Sequence, residues 1–264
     1  MKSQQFIKKT QSHYARVAAI YRSLRVTDSE PVLYIKGIIG DKGKIKAADV
    51  GAGAGRYARL FFEHLGKEDL FLYCYDTNEF MLESLEQYLE DHDIRNYVTK
   101  IAMAQELPIA DSALDAVFCF NAIHFFNTPK FLRESARVLQ EGSFLFIYTR
   151  TKTQSMKSIW GKHFPSFNQK ESDFYNTERL EDEIKSTEGL ELIETKTFVL
   201  ARENSLQELV ERTQSKHYST FYLYESQEFE RSLAEFRKNI RESYEDPDKI
   251  NWSDEKTMYT VLRK

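Results

Sequence analysis

Cysteine is almost absent from this chain: among 264 residues only Cys74 and Cys119 carry a thiol. Both stand in apolar, strand-like runs, so two reduced core residues are expected rather than a disulfide framework. Long hydrophobic runs are also missing. No stretch approaches the roughly 20 apolar residues of a membrane span. The opening MKSQQFIKKT has no apolar h-region, which predicts a soluble, cytoplasmic protein without a membrane partner. Neither sign of charge dominates. Lys and Arg number 37 against 41 Asp and Glu, a net charge of -4. Nothing in that balance attracts phosphate backbones, and nucleic acid is disfavoured as a partner. Repeats and low-complexity linkers are lacking too. What is present is 41% apolar residues, enough for a real core, in a length that suits one α/β domain with an appended cap.

The stretch that organises the chain is Ala47-Ala48-Asp49-Val50-Gly51-Ala52-Gly53-Ala54-Gly55-Arg56-Tyr57. It reads as the end of a buried strand, a glycine turn and the start of a helix. Glycines permit positive φ and put no Cβ between backbone and ligand, so a small molecule can lie against the main chain beside a helix N-terminus. A dinucleotide fingerprint wants its third glycine three positions after the second. Here Arg56 occupies that place, which speaks against a pyrophosphate. Asp49 on the preceding strand suits a cationic amine, because a carboxylate repels an anion. The stretch resembles motif I of the class I S-adenosylmethionine-dependent methyltransferases, a resemblance that implies donor contacts from Asp49, Gly51, Ala52 and Gly53.

Taken in order, residues 6–26 read as a helix that precedes the core and is placed as a lid, within an N-terminal segment 1–40. Its His13-Tyr14-Ala15-Arg16 cluster resembles the tyrosine segment of many small-molecule methyltransferases, which implies that Tyr14 closes over the cofactor. Packing of Tyr14 on the sheet is the alternative. From residue 41 to 150 strands alternate with helices, as a parallel sheet covered on both faces requires. Ile45–Val50, 70–75, 98–103 and 114–120 read as its first four strands. The second ends in Asp76, about 20 residues beyond the glycines, where the acid that holds a ribose diol belongs. Thr77 follows it. Asp76 could instead cap the next helix.

Ala104-Gln105-Glu106-Leu107-Pro108-Ile109 resembles the adenine-holding segment of the ubiquinone/menaquinone-type (type 11) branch of these methyltransferases. Met103 stands where that branch usually carries an acid. The resemblance implies adenine between Met103 and Ile109, with polar contacts from the Ala104 backbone and the Gln105 side chain. The fourth strand delivers Asn121-Ala122-Ile123-His124 to the same edge, and Thr128-Pro129 reads as a cap and first turn. The run from Arg137 to Phe146 resembles the segment that leads into strand five of the family.

Beyond Arg150 regularity fades. Trp160, His163, Phe164, Phe167, Phe174 and Tyr175 are read as lying in a loop. Leu190–Ala201 reads as an outer strand and Thr257–Arg263 as the last, antiparallel by the family's pattern. Between them Ser205 and Glu208 form a capping box, and Phe229, Leu233, Phe236, Ile240 and Tyr244 trace one helical face. A helical cap over about 203–250, inserted before the last strand, is expected within the outer segment 151–264. The resemblance thus implies one Rossmann-like α/β domain with a seven-stranded, mostly parallel sheet, helices on both faces and an N-terminal helix.

The same resemblance implies methyl transfer from S-adenosylmethionine to a small-molecule acceptor. A sulfonium methyl is already electrophilic, so positioning and exclusion of water matter and no metal is needed. His124 is the candidate catalytic base for an acceptor that requires one; the alternative is a structural histidine. Asn121 is placed beside the donor. An NAD(P)-dependent oxidoreductase is the rival enzyme, since Tyr148 and Lys152 match its Tyr-x-x-x-Lys by letters. A non-catalytic binder of S-adenosylmethionine is the other alternative.

Overall fold

Two runs of nearly unbroken burial, Ile45–Val50 (β1) and Leu114–Phe120 (β4), lie side by side at the middle of a seven-stranded sheet. The structure is a computed structural model that describes residues 25–40, 43–171 and 175–264. Leu70–Asp76 (β2) and Tyr97–Ile101 (β3) extend the sheet on one side of β1. On the other side come Leu139–Thr149 (β5), then Ile250–Arg263 (β7), with Leu190–Asn204 (β6) outermost, so the order is β3-β2-β1-β4-β5-β7-β6. The four inner pairs up to β5 are parallel, and β7 runs antiparallel to both β5 and β6.

Parallel pairing needs crossover segments, and helices supply them on both faces. Glu30–Ile39 (α1), Arg56–Leu65 (α2) and Glu79–Glu90 (α3) pack Val32, Ile35, Phe61, Phe62 and Leu85 onto Ala47, Cys74, Phe118 and Phe146. On the opposite face Thr128–Val138 (α4) brings Phe131 and Leu132 against Ala48, Val117, Cys119 and Ile147. Adjacent residues such as Ala47 and Ala48 serve opposite cores because side chains alternate along a strand. Cys74 and Cys119 are both free and buried, one in each core.

Residues 152–170, expected as loop, are three short helices: Lys152–Lys157 (α5), Ile159–His163 (α6) and Phe167–Lys170 (α7). Trp160, Phe164 and Phe167 recur at helical spacing, and their burial against a partner surface outweighs the polar residues between them. Thr177–Lys185 (α8), unforeseen, seals the face occupied by α4 with Leu180 and Ile184. Also unforeseen is α1, whose Val32 and Ile35 belong to the core; the lid helix expected over 6–26 lies, apart from its last two residues, outside the described residues.

The expected cap is present as Leu206–Gln214 (α9) and Ser226–Ser243 (α10), between β6 and β7. Ser205 and Glu208 do form a capping box. The aromatics of α6 and α7 join Leu209, Phe221, Leu233 and Phe236 in a third core separate from the sheet's two. β6 and β7 outrun their predicted ends because they pair with each other from Leu190 with Arg263 to Asn204 with Ile250, carrying the cap as a long ribbon. At α4 the cap is Asn127, whose side chain accepts from the Lys130 N–H, rather than Thr128. No helix among the described residues is long and apolar enough to cross a membrane.

Candidate active site

Loops at the C-terminal ends of β1, β2, β3 and β4 converge on one cavity of about 360 Å³, within the usual range for small-ligand sites. Open α/β sheets gather ligands at this edge because neighbouring crossovers part there. The glycine turn after β1 is tied down by the Gly51 and Ala52 N–H groups, which donate to the Tyr75 carbonyl at 2.8 and 3.0 Å. Its glycines do different work. A Cβ at Gly51 would lie 2.4 Å from the Ala122 Cβ, so this position is a close approach of two backbones. At Gly53, φ is +53° and a Cβ would meet no atom within 4 Å, which leaves the main chain bare towards open space.

Asp76 braces that bare segment. Its Oδ2 accepts from the Gly53 N–H at 2.9 Å and its Oδ1 from the Asn78 N–H at 3.0 Å. A carboxylate offers about four acceptor positions, so capacity for a diol remains. The helix-cap alternative fails, because Asn78 caps α3 by accepting from Met81. Asp49 lies behind the turn, 2% exposed, and its Oδ1 finds no hydrogen-bond partner among the described residues. Burial, and then the nearby Asp76, push its carboxyl up to about 8. Two carboxyl groups in one cavity suit a ligand that is positively charged.

Thr77, Met103, Ala104 and Gln105 line the same cavity. Met103 is 57% exposed, and Gln105 Nε2 lies 3.3 Å from its sulfur. Ile109 does not face Met103 across the cavity; it packs against the sheet core beneath. The aromatic walls are Phe120, Phe125 and Phe126, together with Tyr57. Sequence reading overlooked them because they belong to strand ends and a 3-10 turn, where no periodicity marks them. Tyr14 lies outside the described residues.

Asn121 closes β4 with φ +56°, a left-handed conformation uncommon outside glycine. Its N–H donates to the Tyr148 carbonyl at 2.7 Å, while its buried Nδ2 has no partner among the described residues. Such strain concentrates at functional positions. Asn121 and Arg56 line both the first cavity and a second, of about 80 Å³, between the sheet edge and the cap. His124 lines the second cavity and not the first, its ring 4.1 Å from that of Phe125.

In the second cavity Arg150 Nη2 donates to Tyr218 at 3.0 Å and pairs with Asp254. Arg202 lies 2.6 Å from Asp28, and Lys256 is 3.6 Å from Asp28 and 3.8 Å from Asp254. Burial lowers the Lys256 ammonium to about 8, against the pull of those two carboxylates. His217 Nδ1 lies 2.8 Å from the Arg212 carbonyl, and burial holds its pKa well below the usual range, so it is neutral. Sequence reading found none of these cations, which come from separate segments.

The glycine turn braced by Asp76 and this strand order are the features by which the fold resembles that of the class I S-adenosylmethionine-dependent methyltransferases. Residues 48–147 match the family model of the methyltransferase domain. A Dictyostelium discoideum protein that carries a methyltransferase name is 22% identical over 160 residues, 57% of this chain; the chain spans 56% of that relative's length. The YcgJ protein from Bacillus subtilis superposes with a TM-score of 0.60 at 12% identity, covering 90% of this chain and 99% of its own. A SAM dependent methyltransferase from Aquifex aeolicus gives 0.55 at 21% identity over 70% and 90%. S-adenosylmethionine is the cofactor that this resemblance implies, and the residues present fit it: bare backbone at Gly53, a braced Asp76 and Asp49, whose Oδ1 has no hydrogen-bond partner among the described residues, suit a ribose and positive charge.

Proposed function

We propose that this protein transfers the methyl group of S-adenosylmethionine to a small-molecule acceptor held in the second cavity. The observation that carries the proposal is the meeting of the two cavities at Asn121 and Arg56. Bound S-adenosylmethionine supplies a methyl carbon that an in-line nucleophile takes as the C–S electron pair returns to sulfur.

The chain's own residues do the rest by placement. Gly51, Ala52 and Gly53 offer backbone. Asp76 holds the ribose hydroxyls beside Thr77, while Asp49 faces the donor's positive charge. Met103, Ala104 and Gln105 border the adenine. Asn121 steers the acceptor towards the methyl carbon, and His124 takes a proton from acceptors that must lose one. The cap, together with Trp160 and Trp252 in the cavity wall, keeps water out.

Calorimetry with S-adenosylmethionine, S-adenosylhomocysteine and NADH tests this reading. The first two should bind and NADH should not, with Asp76→Asn weakening the donor by about tenfold or more. Label from methyl-tritiated donor should then pass to a small molecule in a metabolite extract. Donor binding without transfer would leave a binder, and tight NADH binding would overturn the reading.

A further inference from the structure

The second cavity is far more cationic than the molecule around it. Arg25, Arg56, Arg150, Arg202, Arg212 and Lys256 line it against the carboxylates of Glu171 and Asp254. Counting Asp28 behind them, six cations still face three anions, in a chain whose net charge is -4. Those anions are also spent. Asp254 and Asp28 are shared among Arg150, Arg202 and Lys256. Glu171 accepts from the hydroxyls of Ser155 and Thr220. Arg212 and Arg56 form no ion pair among the described residues.

Arg150 makes the surplus specific. It is 5% exposed, yet its Nε has no hydrogen-bond partner among the described residues. A guanidinium has five donors in a rigid fork matched to carboxylate and phosphate oxygens, and burying one with a donor idle is costly unless a ligand takes it up. The geometry points to an acceptor that is a small organic anion, its carboxylate or phosphate group bound at Arg150 and Arg212, with its nucleophile directed past Asn121 to the donor. This rests on the transferase reading above and names its substrate class. The cavity's size favours a compact aliphatic acid or phosphate ester over anything bearing an extended ring system or a nucleic acid.

The test uses the full chain saturated with S-adenosylhomocysteine. Succinate, inorganic phosphate and the neutral succinamide are titrated by calorimetry, with sodium chloride matched for ionic strength. Succinate or phosphate should bind, the stronger of the two identifying the preferred group, and succinamide should not. Arg212→Met should weaken the anion by about tenfold and leave S-adenosylhomocysteine affinity within about twofold. Arg150→Met should do the same; if it fails to fold for want of a partner to Asp254, Arg150→Lys keeps the charge, loses the fork and should weaken the anion alone. In a metabolite extract divided on anion-exchange resin, the retained fraction should accept the labelled methyl. Equal binding of succinamide, no response to either anion, or label accepted only from the unretained fraction overturns the inference. Failure of S-adenosylhomocysteine to bind at all would instead sink the transferase reading beneath it.

Discussion

Asp49 shows at the scale of one residue how a site is prepared for its ligand. A carboxyl raised to about 8 holds its proton more tightly folded than unfolded. Its contribution to stability is therefore full at low pH and is lost as pH rises from the ordinary carboxylate range through about 8. Asp49→Asn should remove that loss, so the ligand-free variant should exceed the parent in Tm at alkaline pH, measured by calorimetric scans across the range. Donor binding should expel the proton, visible as a dependence of the binding enthalpy on buffer. The glycines give a second residue-scale prediction. Gly51→Ala, forced into contact with Ala122, should cost about 3 kcal/mol or more in urea denaturation. Gly53→Ala should cost only about 1 kcal/mol and should lose donor affinity instead, because its Cβ would fill the space left for the ligand. The glycine turn and both carboxylates were legible in sequence, since a backbone cradle needs glycine wherever it is built.

Among elements, α4 shows where local signals mislead. Thr128-Pro129 has the letters of a cap and first turn, yet Asn127 makes the capping bond, and Thr128 is turned inward to Tyr175 at 2.6 Å. Asn127→Ala should cost about 1 kcal/mol by denaturant titration, with the helix otherwise in place. The strands β1 and β4 were readable to the residue, because a doubly covered parallel strand is apolar on both faces. Helices α5 to α7 were not. Their aromatics lie on segments too short to be stable alone, and they are helical because tertiary burial makes them so. The wall of the first cavity was half legible: Met103 and Gln105 follow from the resemblance, whereas Phe125 and Phe126 stand in a turn whose direction only the fold sets.

For the whole molecule, the cap has its own core and should have its own stability. Trp160, 1% exposed with its indole N–H donating to Thr213 at 2.9 Å, is central to it. Trp160→Ala should cost about 3–5 kcal/mol, and hydrogen exchange should show protection lost in α9 and α10 while β1 and β4 keep theirs. Acceptor affinity should fall with the cap, since Trp160 also walls the second cavity. What the sequence determined by itself is the strand–turn–helix frame, its glycines and its two carboxylates, because backbone conformation and hydrophobic periodicity are local properties. What only the tertiary structure decided is the cationic cavity. Arg56, Arg150, Arg202, Arg212 and Lys256 meet there because β7 turns back antiparallel beside β5 and carries the cap across the sheet edge. No local pattern records that meeting of charges.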